Sequence, residues 1–303
     1  MKDGMKIFIT GGTGFVGTHL SKAYLDKSWQ VAATGTSSAH PLSGTENFTY
    51  VNADTTQKGA WQDAARDADA IVNLAGRNIF NFWTEDYKKQ IYDSRVLTTT
   101  NLVEALDADR KVTLLSASAV GVYGSRGEDL LTESTAPGDD FLAGVCKDWE
   151  AASRKAAEKG ARVALMRFGI ILGRGGGALA KMMPAFKFFV GGPLGNGMHW
   201  FPWMHIDDLT AATLFLLKTP DAAGAFNFCA PQAVRYKTFT RLLGQQLGRP
   251  SFVKTPAFLL KLIAGEMGAA MLSSQRAVPA QLEQAGFSFQ YPELDKALKE
   301  IVT

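Results

Sequence analysis

Apolar runs and helical patterns alternate along the first three quarters of the chain. Ile7, Phe8 and Ile9 form a short run of strand-forming residues, and from Val16 onward Leu20, Ala23 and Tyr24 recur at helical spacing. Trp29 to Thr34 predicts a second strand, Phe48 to Val51 a short third and Ala70 to Leu74 a buried fourth. A long helical pattern runs from Thr84 to Leu106, and Val112 to Leu115 is another apolar strand. Asp139 and Asp140 sit where they can cap a helix that runs to about Lys159. Arg162 to Leu172 is apolar almost throughout, the pattern of a strand buried on both faces, and Phe226 to Cys229 closes the series. Strands and helices in alternation with short connections predict an α/β fold with a doubly wound parallel sheet. Ligands then belong at the carboxyl ends of its strands.

Beyond Gly173 the texture changes. Seven of the 30 glycines fall between residues 175 and 197, predicting a mobile, loop-rich segment with a short helical piece near Leu179 to Phe188. Trp200-Phe201-Pro202-Trp203-Met204-His205-Ile206-Asp207-Asp208 leads into an apolar helix ending near Leu217. From Thr238 the pattern is mainly helical, strongly apolar from Pro256 to Met271 and amphipathic from Tyr291 to Ile301. The expected division is an α/β domain over residues 5–230, with 175–205 on the substrate side, and a smaller, mainly helical domain over 231–303.

The candidate chemistry begins at KIFITGGTGFVG, residues 6–17, where Gly11, Gly14 and Gly17 stand at GxxGxxG spacing between a strand and a helix. Gly11 can take the angles of a sharp turn, Gly14 lets the main chain approach a pyrophosphate, and Gly17 lets the helix pack close to the strand. Helix-start amides then face the anion, and Thr13, Phe15 and Val16 complete this part of the cofactor site. At the end of the second strand stand Gly35, Thr36, Ser37 and Ser38, with no carboxylate for a ribose 2′-hydroxyl. That favours NADP, with NAD as the alternative, because hydroxyls are also common loop formers. Asp54 is placed either to accept from an adenine amino group or to cap the segment leading to Trp61. The small residues after the fourth strand, within Leu74, Ala75 and Gly76, would let the backbone lie against the cofactor. Ser118, at the end of the strand after Val112, is a candidate to orient a substrate oxygen. Trp200 and His205 are candidates for lining a substrate pocket, or for plain interface core.

Length and composition narrow the class. At 303 residues, 46% apolar and 20% charged, the chain can bury a substantial core, and a net charge of +3 without basic blocks gives no sign of a nucleic-acid partner. Cys146 and Cys229 cannot build a disulfide framework, and no Cys/His cluster offers metal ligands. No apolar run is long enough to span a bilayer, and MKDGMK leads directly into the first strand, leaving no room for a signal peptide. The expectation is a cytoplasmic protein, monomer or homodimer, with a small-molecule substrate and no membrane partner.

With GGTGFVG, NLAG, SASAVGVYG, RFGIILG and HIDDL in that order, the chain resembles the extended short-chain dehydrogenase/reductase superfamily. DSR at 93–95, KDWEAA at 147–152, LGRGGGAL at 172–179, GGPLGNG at 191–197 and WFPWMHIDDL at 200–209 narrow the resemblance to its atypical branch. That branch is the SulA-type nucleoside-diphosphate-sugar epimerase-like family, with a C-terminal domain of unknown function. The resemblance implies an NADP-type cofactor with Gly11, Gly14 and Gly17 at the pyrophosphate, Leu74 to Gly76 along the ribose side and Arg95 nearby. In the wider superfamily a Ser or Thr, a Tyr and a Lys four residues after that Tyr act together. If Lys147 is that lysine, it would bind nicotinamide ribose hydroxyls, but Ala143 stands where the tyrosine should be. The proton carrier would then be Tyr123, His205 or a water. The implied activity is that of an NADP-dependent oxidoreductase or epimerase acting on a small polar substrate such as a nucleotide sugar. The alternative is a catalytically degenerate NADP(H)-binding sensor or regulatory protein.

Overall fold

Five residues of strand and the glycine turn after them lie at the centre of the molecule. The computed structural model describes residues 4–303; Met1 to Asp3, where the leader-free reading begins, lie outside the described residues. β1 (Lys6–Thr10) is followed by α1 (Phe15–Leu25), β2 (Gln30–Gly35), β3 (Phe48–Asn52), α2 (Trp61–Arg66), β4 (Ala70–Asn73) and α3 (Glu85–Ala105). Next come β5 (Thr113–Ala119), β6 (Leu130–Leu131), α4 (Phe141–Arg154), β7 (Arg162–Phe168), β8 (Ile170–Leu172) and α5 (Gly177–Lys187). β9 (Trp200–Phe201), β10 (Trp203–His205), α6 (Ile206–Lys218), β11 (Gly224–Phe228), β12 (Val234–Arg235) and α7 (Tyr236–Leu247) follow. The chain ends with α8 (Ala257–Ala270), β13 (Arg276–Ala277), α9 (Ala280–Gln284) and α10 (Leu294–Val302).

Seven strands form one sheet in the order β11-β7-β5-β4-β1-β2-β3, every neighbouring pair parallel. The order reverses between β1 and β4, so a crevice opens at their carboxyl ends. Alternation along β1 sorts its side chains. Ile7 and Ile9 join Leu20 of α1 and Leu209 of α6 in one apolar layer, while Phe8 joins Trp61 and Leu102 in the other. Each such side chain contributes about 1.5–3 kcal/mol on burial.

Two features differ from the sequence-based expectation. The long sixth run is broken at Gly169, where a Cβ would stand 2.8 Å from the Pro202 carbonyl oxygen. The chain leaves the large sheet there, and β8 pairs with β10 instead. The glycine-rich segment after Gly173 is packed rather than loose, because Gly173 and Gly176 close over the Phe15 ring, with Cβ positions 2.8 and 2.2 Å from it. Residues 231–303 pack against the α/β part: Leu172, Leu179, Phe201 and Trp203 share one apolar cluster with Phe239, Leu243, Leu294 and Leu298. Among the described residues no helix is long and apolar enough to cross a membrane.

Candidate active site: a glycine-lined cleft beside an apolar chamber

The turn after β1 is shaped by glycine where no other residue fits. Gly11 has φ +67°, and a Cβ there would stand 2.9 Å from the Leu74 backbone; at Gly17 it would stand 2.5 Å from the Gly11 oxygen. The Thr10 hydroxyl donates to Asn73 Oδ1 at 2.6 Å and accepts from the Leu74 and Ala75 amides, tying this turn to the end of β4. Gly14 begins α1 with no side-chain cap and no acidic residue in the first turn. The first-turn amides therefore remain available to an anion, with the positive end of the helix behind them.

These elements border a cleft of about 450 Å³ in which Gly11, Gly14, Phe15, Val16, Gly17, Leu74, Gly76, Arg95 and Ser118 come together. Arg95 is fixed by hydrogen bonds to the Ile91 and Arg77 carbonyl oxygens at 3.0 and 3.1 Å and lies over the Trp149 ring. Its guanidinium would stand 3.0 Å from a Cβ at position 76, so a side chain there would have to shift Arg95. Thr13 does not line the cleft; its side chain packs on Gly35, where a Cβ would stand 2.5 Å from the Thr13 hydroxyl. Thr36 and Ser37 are exposed at the end of β2, and the Ser37 carbonyl accepts from Tyr50 and Asn52. Ala75 contributes its backbone to the turn rather than a side chain to the cleft wall. Asp54 is exposed and turned onto its own loop, accepting from the Thr56 amide at 3.0 Å and hydroxyl at 2.7 Å. That geometry places its carboxylate in a local turn, not in the cleft wall.

The catalytic candidates fare unequally. Ser118 lines the cleft at the end of β5 and donates to Glu150 Oε1 at 2.8 Å. Glu150 is itself held by Arg167 at 2.8 and 2.9 Å and by Arg154 at 2.8 Å. Burial pushes the Glu150 carboxyl up, but the hydrogen bonds and charge of Arg167 outweigh it and leave the group below the usual carboxylate range. Three other candidates lie elsewhere. Lys147 is exposed and outside the cleft wall. Tyr123 is fully buried, donates to Asn227 Oδ1 at 2.7 Å and accepts from Arg167 at 2.9 Å; burial pushes its hydroxyl up to about 12. A phenol so placed is a structural member of the Glu150–Arg167 network. His205 is buried at the head of α6, where Nδ1 accepts from the Asp207 amide and Nε2 lies 3.0 Å from Glu300. It too stands outside both the cleft and the chamber described next.

The face that α4 does present to the cleft carries Leu142, Val145, Cys146 and Trp149. The i, i+3, i+4, i+7 spacing of these residues is the local signal for that face, whereas Lys147, implied by the resemblance, lies one position round the helix. Opposite Ser118, then, the pair four residues apart is Leu142 and Cys146, and burial pushes the Cys146 thiol up to about 11. Among the described residues neither tyrosine nor lysine lines this cleft.

Beyond Ser118 the cleft adjoins a second space, of about 400 Å³. The two share Ala119, Gly121, Leu142, Phe168, Gly169 and Ile170 as a common wall. Trp200 is on the chamber side, its ring between the guanidinium groups of Arg235 and Arg276 at 3.8 and 4.8 Å. Inward-facing residues of α8 and the segment after it, Met267, Ala270 and Met271, close the chamber.

Comparison with known proteins places this architecture. The profile of the NAD dependent epimerase/dehydratase family matches residues 7–229, and a domain of unknown function, DUF1731, matches 255–301. The chain belongs to the NAD dependent epimerase/dehydratase family. Within that family it is 36% identical over 304 residues to the chloroplastic epimerase family protein SDR39U1 homolog of Arabidopsis thaliana, covering 98% of this chain and 87% of that one. It is 38% identical over 303 residues to an epimerase family protein of Staphylococcus haemolyticus, covering 98% and 99%. The crystal structure of human epimerase family protein SDR39U1 with NADPH superposes with a TM-score of 0.85 at 30% identity, covering 98% of this chain and 99% of that one.

Proposed function

We propose that the chain is an NADP(H)-dependent oxidoreductase whose cofactor lies along the glycine turn and whose substrate occupies the adjoining chamber. The observation that carries this reading is the wall shared by the two spaces at Ser118's end of β5, which brings a redox end and a substrate within reach of one another. The human relative crystallised with NADPH supports the choice of cofactor, as does the absence of a carboxylate at Gly35 to Ser38. When bound, NADPH would supply a hydride to a carbonyl carbon, the carbonyl oxygen taking up a proton to give an alcohol.

The chain's own residues would hold and orient. The amides at the start of α1 receive the pyrophosphate, Gly11, Gly14 and Gly17 let it approach, and Thr36 and Ser37 offer hydroxyls at the 2′-phosphate end. Arg95 stiffens the wall at Gly76. Because Ser118 donates its proton to Glu150, its oxygen would serve a substrate as an acceptor. With Leu142 and Cys146 opposite, the proton for the substrate comes from water rather than from a tyrosine. Two buried, unpaired thiols, Cys146 and Cys229, support a cytoplasmic setting.

The same Leu142–Cys146 pair favours a second reading, a nucleotide sensor that kept the cleft and lost the chemistry. Calorimetric titration with NADPH and NADH, followed by NADPH consumption against a panel of carbonyl compounds, separates the two. Saturable NADPH binding with acceptor-dependent consumption supports the oxidoreductase. Binding with no consumption across the panel supports the sensor, and no saturable binding overturns both.

A further inference from the structure

The chamber's chemistry bears on what enters it. Its wall is built largely from aromatic and aliphatic side chains, among them Phe80, Trp83, Phe141, Ile170, Phe201 and Met271, and among the described residues no lysine or arginine lines it. The two carboxylates on the wall are already engaged. Asp140 accepts from the Ala143 amide at 2.8 Å at the head of α4, and Glu266 accepts from Lys88 at 2.8 Å. Arg235 and Arg276 flank the mouth stacked on Trp200, and Arg235 is paired with Glu128 at 2.9 Å. A nucleoside diphosphate would therefore meet two carboxylates on the described wall, while the nearby Arg235 and Arg276 lie over the Trp200 ring rather than on the wall itself, so its desolvation cost is poorly offset.

We propose that the chamber binds an uncharged, predominantly apolar carbonyl compound rather than a nucleotide sugar, with His199 as the polar group nearest its oxygen. This rests on the reading that the chamber is the substrate side of the cofactor cleft. His199 lines the chamber, its ring stacks on Tyr236 with centroids 4.8 Å apart, and its Nε2 is buried without a hydrogen-bond partner. Burial pushes the imidazole down to about 4, so at neutral pH it is uncharged and has one N–H to donate. A carbonyl oxygen accepts such a donor, and a single neutral N–H suits one uncharged acceptor better than a diphosphate.

The test measures binding without relying on turnover. Tryptophan fluorescence, to which Trp83 and Trp200 on the wall contribute, and thermal midpoint are followed with 1-acetonaphthone, UDP-glucose and UDP-glucuronic acid, each with and without saturating NADPH. The expected result is saturable quenching and a raised midpoint with 1-acetonaphthone and no competition from either sugar nucleotide. Met271→Arg, and Ala269→Arg at an exposed position of α8, should each weaken 1-acetonaphthone at least tenfold while NADPH titrates normally, which also reports an intact fold. His199→Phe should weaken it several-fold. Binding of UDP-glucose in place of the ketone, or ketone binding indifferent to both arginine variants, overturns the proposal. Loss of NADPH binding in the unaltered protein would instead overturn the functional reading, with ketone binding still deciding the chamber's chemistry.

Discussion

At the glycine turn the cleft is shaped by backbone: Gly11 and Gly14 border it without side chains, Gly17 lets α1 pack close behind, and α1 starts with no side-chain cap over its first amides. Across the shared wall the chamber is mostly side chain, assembled from segments as far apart in sequence as Phe80 and Met271. The first half is demanding about residue type, since a Cβ at Gly17 would meet the Gly11 oxygen at 2.5 Å. The second asks only for apolar bulk. A site built on backbone geometry therefore constrains sequence sharply, while one built on burial constrains only hydrophobicity and volume.

Between the halves runs a buried polar seam, Ser118 to Glu150 to Arg167 to Tyr123 to Asn227. Cutting it is expected to have the largest effect. Arg167→Met leaves Glu150, 2% exposed, facing Ser118 and Arg154 alone, and should cost about 3–5 kcal/mol in urea unfolding. The seam also predicts a pH dependence. The folded Glu150 carboxyl ionises below its unfolded value of about 4.3. Its contribution is complete above that value and is lost as pH falls through the depressed folded one. Thermal midpoints of Glu150→Gln should therefore fall less steeply than the parent's on acidification below about pH 4.3. A parallel acid limb would contradict the ion pair.

Next in size is Gly11→Val, which forces a branched residue into φ +67° and against the Leu74 backbone, a strain of order 1–3 kcal/mol. NADPH affinity by calorimetry should fall at least tenfold while 1-acetonaphthone still quenches, because the chamber does not depend on this turn. Equal loss of both ligands would erase the contrast between the halves. Tyr123→Phe removes one buried hydroxyl and should cost about 1 kcal/mol of stability, leaving NADPH binding unchanged. Smallest of all is Lys147→Ala, expected to stay within about 0.5 kcal/mol and to leave NADPH affinity untouched, since that side chain is exposed. A loss of NADPH binding there would restore the lysine to the site.

The contrast also explains what the sequence disclosed. The glycine turn, Gly76, Arg95 and Ser118 were legible because strand, turn and helix each leave a local pattern, and all of them line the cleft. Lys147 follows from the family resemblance, which supplies a spacing but not a face; at 100° per residue the cleft side of α4 falls on Leu142 and Cys146. Tyr123 and His205 carry reactive groups, and nothing local reveals that Asn227, 104 residues on, and Glu300, 95 residues on, already engage them. The break at Gly169 was hidden inside an unbroken apolar run, since only the approach of Pro202 demands it. The chamber was the least legible part, because Met271 and Phe80 become neighbours only through the fold.

The most direct test is a crystal structure of the chain with NADPH and 1-acetonaphthone. The account predicts pyrophosphate density on the amides around Gly11 to Gly17, the nicotinamide beside Ser118 and Ala119, and the ketone across the shared wall near His199. Nicotinamide density outside that wall, or a ketone bound anywhere but the chamber, would contradict it.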